Sequence, residues 1–257
     1  MANEPGRSVA SRLLALLFVF QDGSPALSLA DIVRATGIPH ATARRLIHEL
    51  ADAGALDQLP DGRFSVGLRL WQLGTRAPRT ESLRTLARPF MEDLHTALQQ
   101  HVQLAVIEGN DAVIIERRSA PGALGLLSRV GGRLPLHCSG AGKVLLSHSL
   151  QDFSDAILAG PLRRFTPRTI VDPVELRKQM AACRVTGTAI VQEELTVGAD
   201  SVATRIVNGE GRVVAALSVV VSTNSVALQP TAAAVLASGL GLSRLLGWKP
   251  GITVKAG

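Results

Sequence analysis

Two short amphipathic helical patterns separated by a three-residue corner constrain the N-terminal part of this chain more than any other feature. Ser28 can accept a hydrogen bond from the backbone N–H three residues on, where Asp31 favours a first helical turn, and Leu29, Ile32 and Val33 follow as an apolar stripe. Gly37 suits the left-handed residue that ends such a helix, Ile38 can pack beneath the corner, and Pro39 is tolerated in the first turn of the next helix. That next helix carries Ala43, Leu46, Ile47, Leu50 and Ala53 on one face, with Gly54 at its end.

Its other face presents His40, Ala41, Thr42, Arg44, Arg45 and His48, crowded towards the N-terminal half, where backbone N–H groups and the helix dipole also favour a phosphate. Small residues among cations let a helix approach a groove closely. Upstream, Val9, Leu13, Leu16, Leu17 and Phe20 recur at three- and four-residue spacing, which predicts a helix from about Ser8 to Phe20. Downstream, Ala55 to Leu59 and Arg63 to Val66 flank the turn-forming Pro60-Asp61-Gly62, so a β-hairpin tipped by Arg63 is expected. Helix, helix, corner, helix, hairpin is the pattern of a winged helix-turn-helix, whose third helix enters a DNA groove.

At 257 residues the chain has room for two unequal domains. Residues Leu68 to Thr80 begin helically and then turn rich in Gly, Pro and Arg, which predicts a linker helix and joint between a DNA-binding domain, 1–67, and a larger domain, 81–257. The larger part opens with an amphipathic helix through Leu83, Leu86, Phe90, Met91, Leu94 and Leu98. Strand-like runs follow at Val102 to Ile107, Ala112 to Glu116 and Leu124 to Leu127, then at Thr188 to Val191, Val202 to Val207 and Val213 to Val221. Asn208 to Gly211 forms a hairpin turn, and Thr231 to Leu246 closes the chain helically. Without regular alternation of strand and helix, this is an α+β domain with a largely antiparallel sheet.

The formal charge of +6 makes a polyanionic partner more plausible than chance. It is spread over both parts, +2 up to Thr80 and +4 beyond, so any claim on nucleic acid rests on individual arginines. The two cysteines, Cys138 and Cys183, make neither a disulfide framework nor a zinc knuckle, which fits a reducing cytoplasm. Leu13 to Phe20 imitates the core of a secretory signal, but its eight apolar residues fall far short of a bilayer span and its flanks continue the same helical phase. Neither a membrane nor a metal or other cofactor is expected as a partner.

Several strings, in this order, resemble the IclR family of bacterial transcription regulators from Ser8 to about Gly247. They are Ser28-Leu29-x-x-Ile32-x-x-x-Thr36-Gly37-Ile38-Pro39-x-x-Thr42-x-x-Arg45-Leu46 and Asp61-Gly62-Arg63-Phe64, then Leu134-Pro135-Leu136-His137-x-Ser139-Gly140-Ala141-Gly142-Lys143, Phe165-Thr166-Pro167-Arg168-Thr169, Glu193-Glu194-Leu195 with Gly198, and Ala215-Ala216-Leu217-Ser218. The resemblance implies a curved antiparallel sheet flanked by helices, dimers that commonly pair into tetramers, operator DNA as partner and a small-molecule effector. It also implies DNA contact through Thr42 and Arg45, with His40, Ala41 and Arg44 beside them; Ser28 and Arg63 complete the expected surface. An arginine can donate two parallel bonds to guanine, and a threonine can meet a phosphate or a thymine methyl. The family usually carries a hydroxyl residue where Ala41 stands.

For the effector, the resemblance implies a pocket at Gly140 and Ala141, whose backbone N–H groups can hold a carboxylate, with Val191, Ser201, Ser218 and Val220, and Leu124 nearby. Members that bind small keto acids tend to have an acid at the Val191 position and a hydroxyl at the Val220 position, so the apolar residues here favour an aromatic or longer apolar acid. Asp200 and Arg205 also depart from common family residues.

Enzyme readings fit the residues less well. Ser139-Gly140-Ala141-Gly142-Lys143 lacks the glycine that a phosphate-binding loop needs five positions before its Gly-Lys pair, where His137 stands. His137, Cys138 and Ser139 are neighbours in sequence, and catalytic triads assemble from residues far apart. Glu193 and Glu194 face opposite ways in an extended segment and read as a solvated or interface loop. Leu68, Leu70 and Trp71 read as core or dimer packing, and the pairs Arg117-Arg118 and Arg163-Arg164 as surface or subunit contacts.

Overall fold

In the computed structural model, which describes residues 8–22, 24–74, 78–119, 129–249, 251 and 253–255, the chain divides into two compact units, Met1–Glu81 and Ser82–Gly257. In the first unit α1 (Val9–Phe18) runs into a 3-10 turn, Val19–Asp22. It is followed by α2 (Leu29–Thr36) and α3 (His40–Asp52), then β1 (Leu56–Gln58), β2 (Phe64–Val66) and α4 (Leu68–Gly74). The Ser28 hydroxyl accepts from the Asp31 amide and the Asp31 carboxylate accepts from the Ser28 amide, so the expected reciprocal cap starts α2. Gly37, at φ +66°, ends it in the left-handed region. Leu16, Ile32, Ala43, Leu46, Ile47, Leu56 and Phe64 close into one core, so the apolar stripes of the three helices and the hairpin meet as their spacing requires. Leu27 bridges Phe64 and adds a third, minimal strand to the wing.

The second unit is built on a six-stranded antiparallel sheet in the order β5-β4-β3-β8-β7-β6. Helix α5 (Pro78–Leu98) leads into β3 (His101–Glu108), β4 (Asp111–Arg118) and the short β5 (Arg133–Pro135). Then come α6 (Gly140–Ser147), α7 (Gln151–Ala159) and α8 (Pro173–Thr186). The chain returns through β6 (Thr188–Gln192), β7 (Ala199–Val207) and β8 (Val213–Ser222) to α9 (Leu228–Leu245). Side chains alternate across the sheet. Val102, Leu104, Val202, Leu217 and Val219 pack with Met91 and Leu94 of α5 and Val235 and Leu242 of α9. On the opposite face Ala105, Ala189, Ala203 and Ala216 pack with Val144 and Leu145 of α6 and with Leu176 and Met180 of α8. Every residue of α6 is buried, and the alanine floor is what lets it lie so close to the strands.

Two expectations need amending. The stretch from Gln151 to Thr186, to which the sequence reading gave no regular element, holds α7 and α8. Leu68, Trp71 and Leu73 are exposed in α4, so Leu68 and Trp71 are not core residues of this unit, and the packing of α4 against a second copy is the reading left to them. The strand expected at Leu124 to Leu127, and the effector candidate Leu124, lie outside the described residues. Among the described residues no helix is long and apolar enough to cross a membrane.

Candidate functional site

Helix α3 buries Ala43, Leu46, Ile47 and Leu50 and leaves His40, Ala41, Arg44, Arg45 and His48 exposed, with Thr42 half-buried at the edge of the core. His40, Ala41, Arg44, Arg45 and His48 line an open hollow of about 450 Å³. Arg45 Nη1 lies 2.5 Å from Glu49 Oε1, one turn on, with its side chain 61% exposed, so the guanidinium is held in water and free to change partners. His48 Nδ1 donates to the Arg44 carbonyl at 2.7 Å. At the hairpin tip Arg63 Nε lies 2.7 Å from Asp61 Oδ2, and its amide donates to Asp61 Oδ1, which holds that carboxylate below its usual range. Ser28 stands differently from the other DNA candidates, because its amide and its hydroxyl both donate to Asp31 Oδ2. Its visible task is to start α2.

The effector candidates come together on the face of the sheet under α6. Strand register pairs Val191 of β6 with Ser201 of β7, and Ser201 with Val220 of β8, so these three form one row across the strands. Ser218 lies two residues along β8 on the same face, beside Ala203. A Cβ on Gly140 would come within 2.7 Å of Ser201 Oγ, and one on Gly142 within 2.6 Å of the Pro135 carbonyl. The glycines of the Ser139-to-Lys143 string therefore serve close packing of a helix start rather than a phosphate loop. Ser139 caps that start, accepting from the Gly142 amide at 3.1 Å and donating to the Pro135 carbonyl at 2.7 Å. The amides of Gly140 and Ala141 have no acceptor among the described residues, which leaves two donors at the positive end of α6, against Ser201.

Below that first turn a buried ion pair anchors α6. Lys143 Nζ lies 2.5 Å from Glu194 Oε1 and 2.6 Å from Gln179 Oε1, and Glu194 Oε2 accepts from the Ile170 amide. Burial pulls the Lys143 pKa down, while the carboxylate beside it pulls the other way. Thr169 Oγ1 donates to the Glu194 carbonyl at 2.6 Å and Thr166 Oγ1 to that of Glu193 at 2.6 Å, so the Phe165-to-Thr169 string and the Glu193-Glu194 string are two halves of one junction. The expectation of a solvated loop therefore fails for Glu194, which is sealed in the core because Lys143 is there to meet it. Glu193 does face outward, to Arg168.

The neighbouring nucleophile candidates are chemically quiet. Burial, and next the Glu194 charge, push the Cys138 thiol to about 12, so it stays protonated. The His137 ring bonds the Arg163 carbonyl at 2.9 Å, and the Ser139 hydroxyl is spent on the cap.

Family models match both parts of the chain: the IclR helix-turn-helix domain over residues 9–60 and the bacterial transcriptional regulator IclR C-terminal domain over residues 77–240. The chain belongs to the IclR family. Among solved structures, an IclR homologue from Microbacterium hydrocarbonoxydans complexed with 4-hydroxybenzoate is 33% identical, with a TM-score of 0.86 over 93% of this chain and 99% of that one. The HTH-type transcriptional repressor AllR of Salmonella typhimurium is 32% identical over 218 residues, 84% of this chain and 80% of the relative. The HTH-type transcriptional regulator XynR of Escherichia coli is 31% identical over 242 residues, 92% and 96% of the two chains. This IclR protein is thus a transcription regulator with a DNA-binding helix-turn-helix and a ligand-binding α+β domain, and not an enzyme.

Two polar residues of the IclR effector domain escaped the sequence reading. His101 pairs with Val220, and Gln103 with Ser218, so both share the sheet face of the effector candidates, and both are buried. Polar residues alternating with Val102 and Leu104 in an otherwise apolar strand were the available signal.

Proposed function

We propose that this IclR-type regulator senses a small aromatic or apolar carboxylic acid and controls a catabolic operon in the cytoplasm. The observation that carries the reading is the row Val191, Ser201, Val220 with Ser218 beside it, facing the end of α6 that offers the Gly140 and Ala141 amides. Two amides at a helix start suit a carboxylate, the two serines supply hydroxyls, and the two valines offer apolar surface, with His101 and Gln103 as the further polar side chains of that face. An apolar ring would gain about 25 cal/mol per Å² buried against the valines, which glyoxylate or pyruvate cannot. The relative complexed with 4-hydroxybenzoate supports the same choice. The acid would bias one arrangement of paired subunits, and so the spacing of two α3 helices that must fit half-sites about 34 Å or a multiple apart. Thr42, Arg44, Arg45, His40, Ala41 and Arg63 would face the DNA, with Ser28 holding α2 beneath them.

Calorimetry on the full chain tests the effector class. Benzoate-like acids should bind more tightly than glyoxylate or pyruvate, and Ser218→Phe should abolish their binding while sparing the operator complex. Tighter binding of the keto acids would overturn the assignment.

A further inference from the structure

Helix α6 has a second end. Its eight residues put the last turn about 12 Å from the Gly140 and Ala141 amides, and there the domain has another pocket, partly open to solvent, of about 210 Å³. Ile107 from the end of β3, Val213 from the start of β8, Leu145 of α6, and Leu150 and Phe153 at the start of α7 form its apolar walls. None of the described effector candidates lines it.

Its polar character comes chiefly from His148. The residue is buried, and its Nδ1 lies 2.9 Å from the Val144 carbonyl. A carbonyl can only accept, so Nδ1 carries the proton, and in the neutral ring Nε2 is left with a lone pair. Nε2 has no partner among the described residues, and His148 lines the cavity. The one side-chain hydroxyl of the lining, that of Ser149, already donates to the Leu146 carbonyl. Burial, with the Arg205 and Arg184 charges nearby, pushes the His148 pKa down to about 4, so at neutral pH the ring offers an acceptor and no cation. A carboxylate would meet a lone pair and lose its hydration without return. A small ring with one O–H donor would lose nothing: an apolar cavity of ~150 Å³ is enough to hold benzene.

We propose that this cavity is a second small-molecule site, which takes a neutral molecule of the phenol class, its ring among Ile107, Leu145, Leu150 and Phe153 and its O–H donated to His148 Nε2. Its chemistry is the reverse of the first site, acceptor in place of donors, so the two sites select different compounds. The inference does not rest on the carboxylic acid reading and stands or falls separately.

The test is calorimetry on the full-length protein with phenol, toluene and benzoate. Phenol should bind the unaltered chain roughly tenfold more tightly than toluene, the worth of one hydrogen bond to a buried acceptor. Ile107→Trp, at a rim position 38% exposed, should fill the space and remove phenol binding while leaving benzoate binding intact. Ser218→Phe should do the reverse. His148→Phe should bring phenol down to toluene. Absence of phenol binding up to its solubility, equal affinities for phenol and toluene in the unaltered chain, or loss of phenol binding in Ser218→Phe but not in Ile107→Trp would each overturn the proposal. So would a change of oligomeric state in Ile107→Trp with phenol binding unaltered, since the cavity would then be a contact between copies. The phenol-to-toluene comparison needs no variant to fold.

Discussion

Arg45 shows how one residue can be poised between two partners. Its link to Glu49 is an exposed i,i+4 pair, a kind worth well under 1 kcal/mol, whereas a bidentate contact to guanine discriminates by about 1–3 kcal/mol. A guanine within reach would therefore outcompete Glu49 for the guanidinium. Arg45→Ala should weaken operator binding by that amount and relax the base preference at one position, measured by fluorescence anisotropy on operators varied base by base; unchanged affinity would remove α3 from the interface. His148 makes the second prediction at this scale. Its folded pKa of about 4 lies below the 6.5 of an unperturbed histidine, so its neutral burial stabilises the fold fully above pH 6.5, and that contribution is lost as pH falls towards 4. Between pH 7 and pH 5 the loss amounts to about 2 kcal/mol, and the difference in urea-unfolding free energy between the unaltered chain and His148→Phe should change by that much. A constant difference would mean that His148 is not held neutral.

Among the elements, α6 depends most on a feature with no local signature. Lys143 and Glu194 stand far apart in sequence, and nothing in either neighbourhood announces that two charges will be buried together. Lys143→Met should cost on the order of 3–5 kcal/mol by stranding the carboxylate, and the double change with Glu194→Met should recover most of it, read from chemical denaturation. A double variant no more stable than the single one would mean that the pair is not the anchor. By contrast, α2, α3 and the wing were legible almost residue by residue, because caps, corner glycines and helical spacing are local chemistry: Ser28, Asp31, Gly37 and the Ala43-to-Leu50 stripe all stand where their types suggest. The long strands of the second unit were legible from their apolar runs, whereas the three-residue β5 was not. Helix α8 escaped although Asp172 caps it, Pro173 opens it and Gly187 ends it, with Leu176, Met180 and Cys183 buried at helical spacing. The effector row could be named only through family resemblance, since cross-strand pairing of Val191, Ser201 and Val220 depends on register and not on sequence distance.

At the scale of the whole molecule, what a single copy leaves uncovered bears on assembly. Leu68 and Trp71, one turn apart on α4, are 62% and 61% exposed, and Leu14 and Phe18 of α1 are exposed as well. Apolar surface of this kind fits burial against a second chain, as the proposed pairing of two recognition helices would require. Trp71→Glu should shift the protein towards monomer in analytical ultracentrifugation and lower operator affinity with α3 untouched; a dimer of unaltered strength would place the contact elsewhere. Sensing asks for a part that can respond, and the alanine floor beneath α6 bears on that. Methyl groups offer few ridges for a helix to lock into, so the rod is held lengthwise mainly at three points: the Ser139 cap, the Lys143 ammonium and Arg184, which donates to the Ser147 carbonyl at the far end. A ligand that grips the first turn would therefore pull on a rod whose far tip is tied to α8 through Arg184, so its tug would reach a second helix.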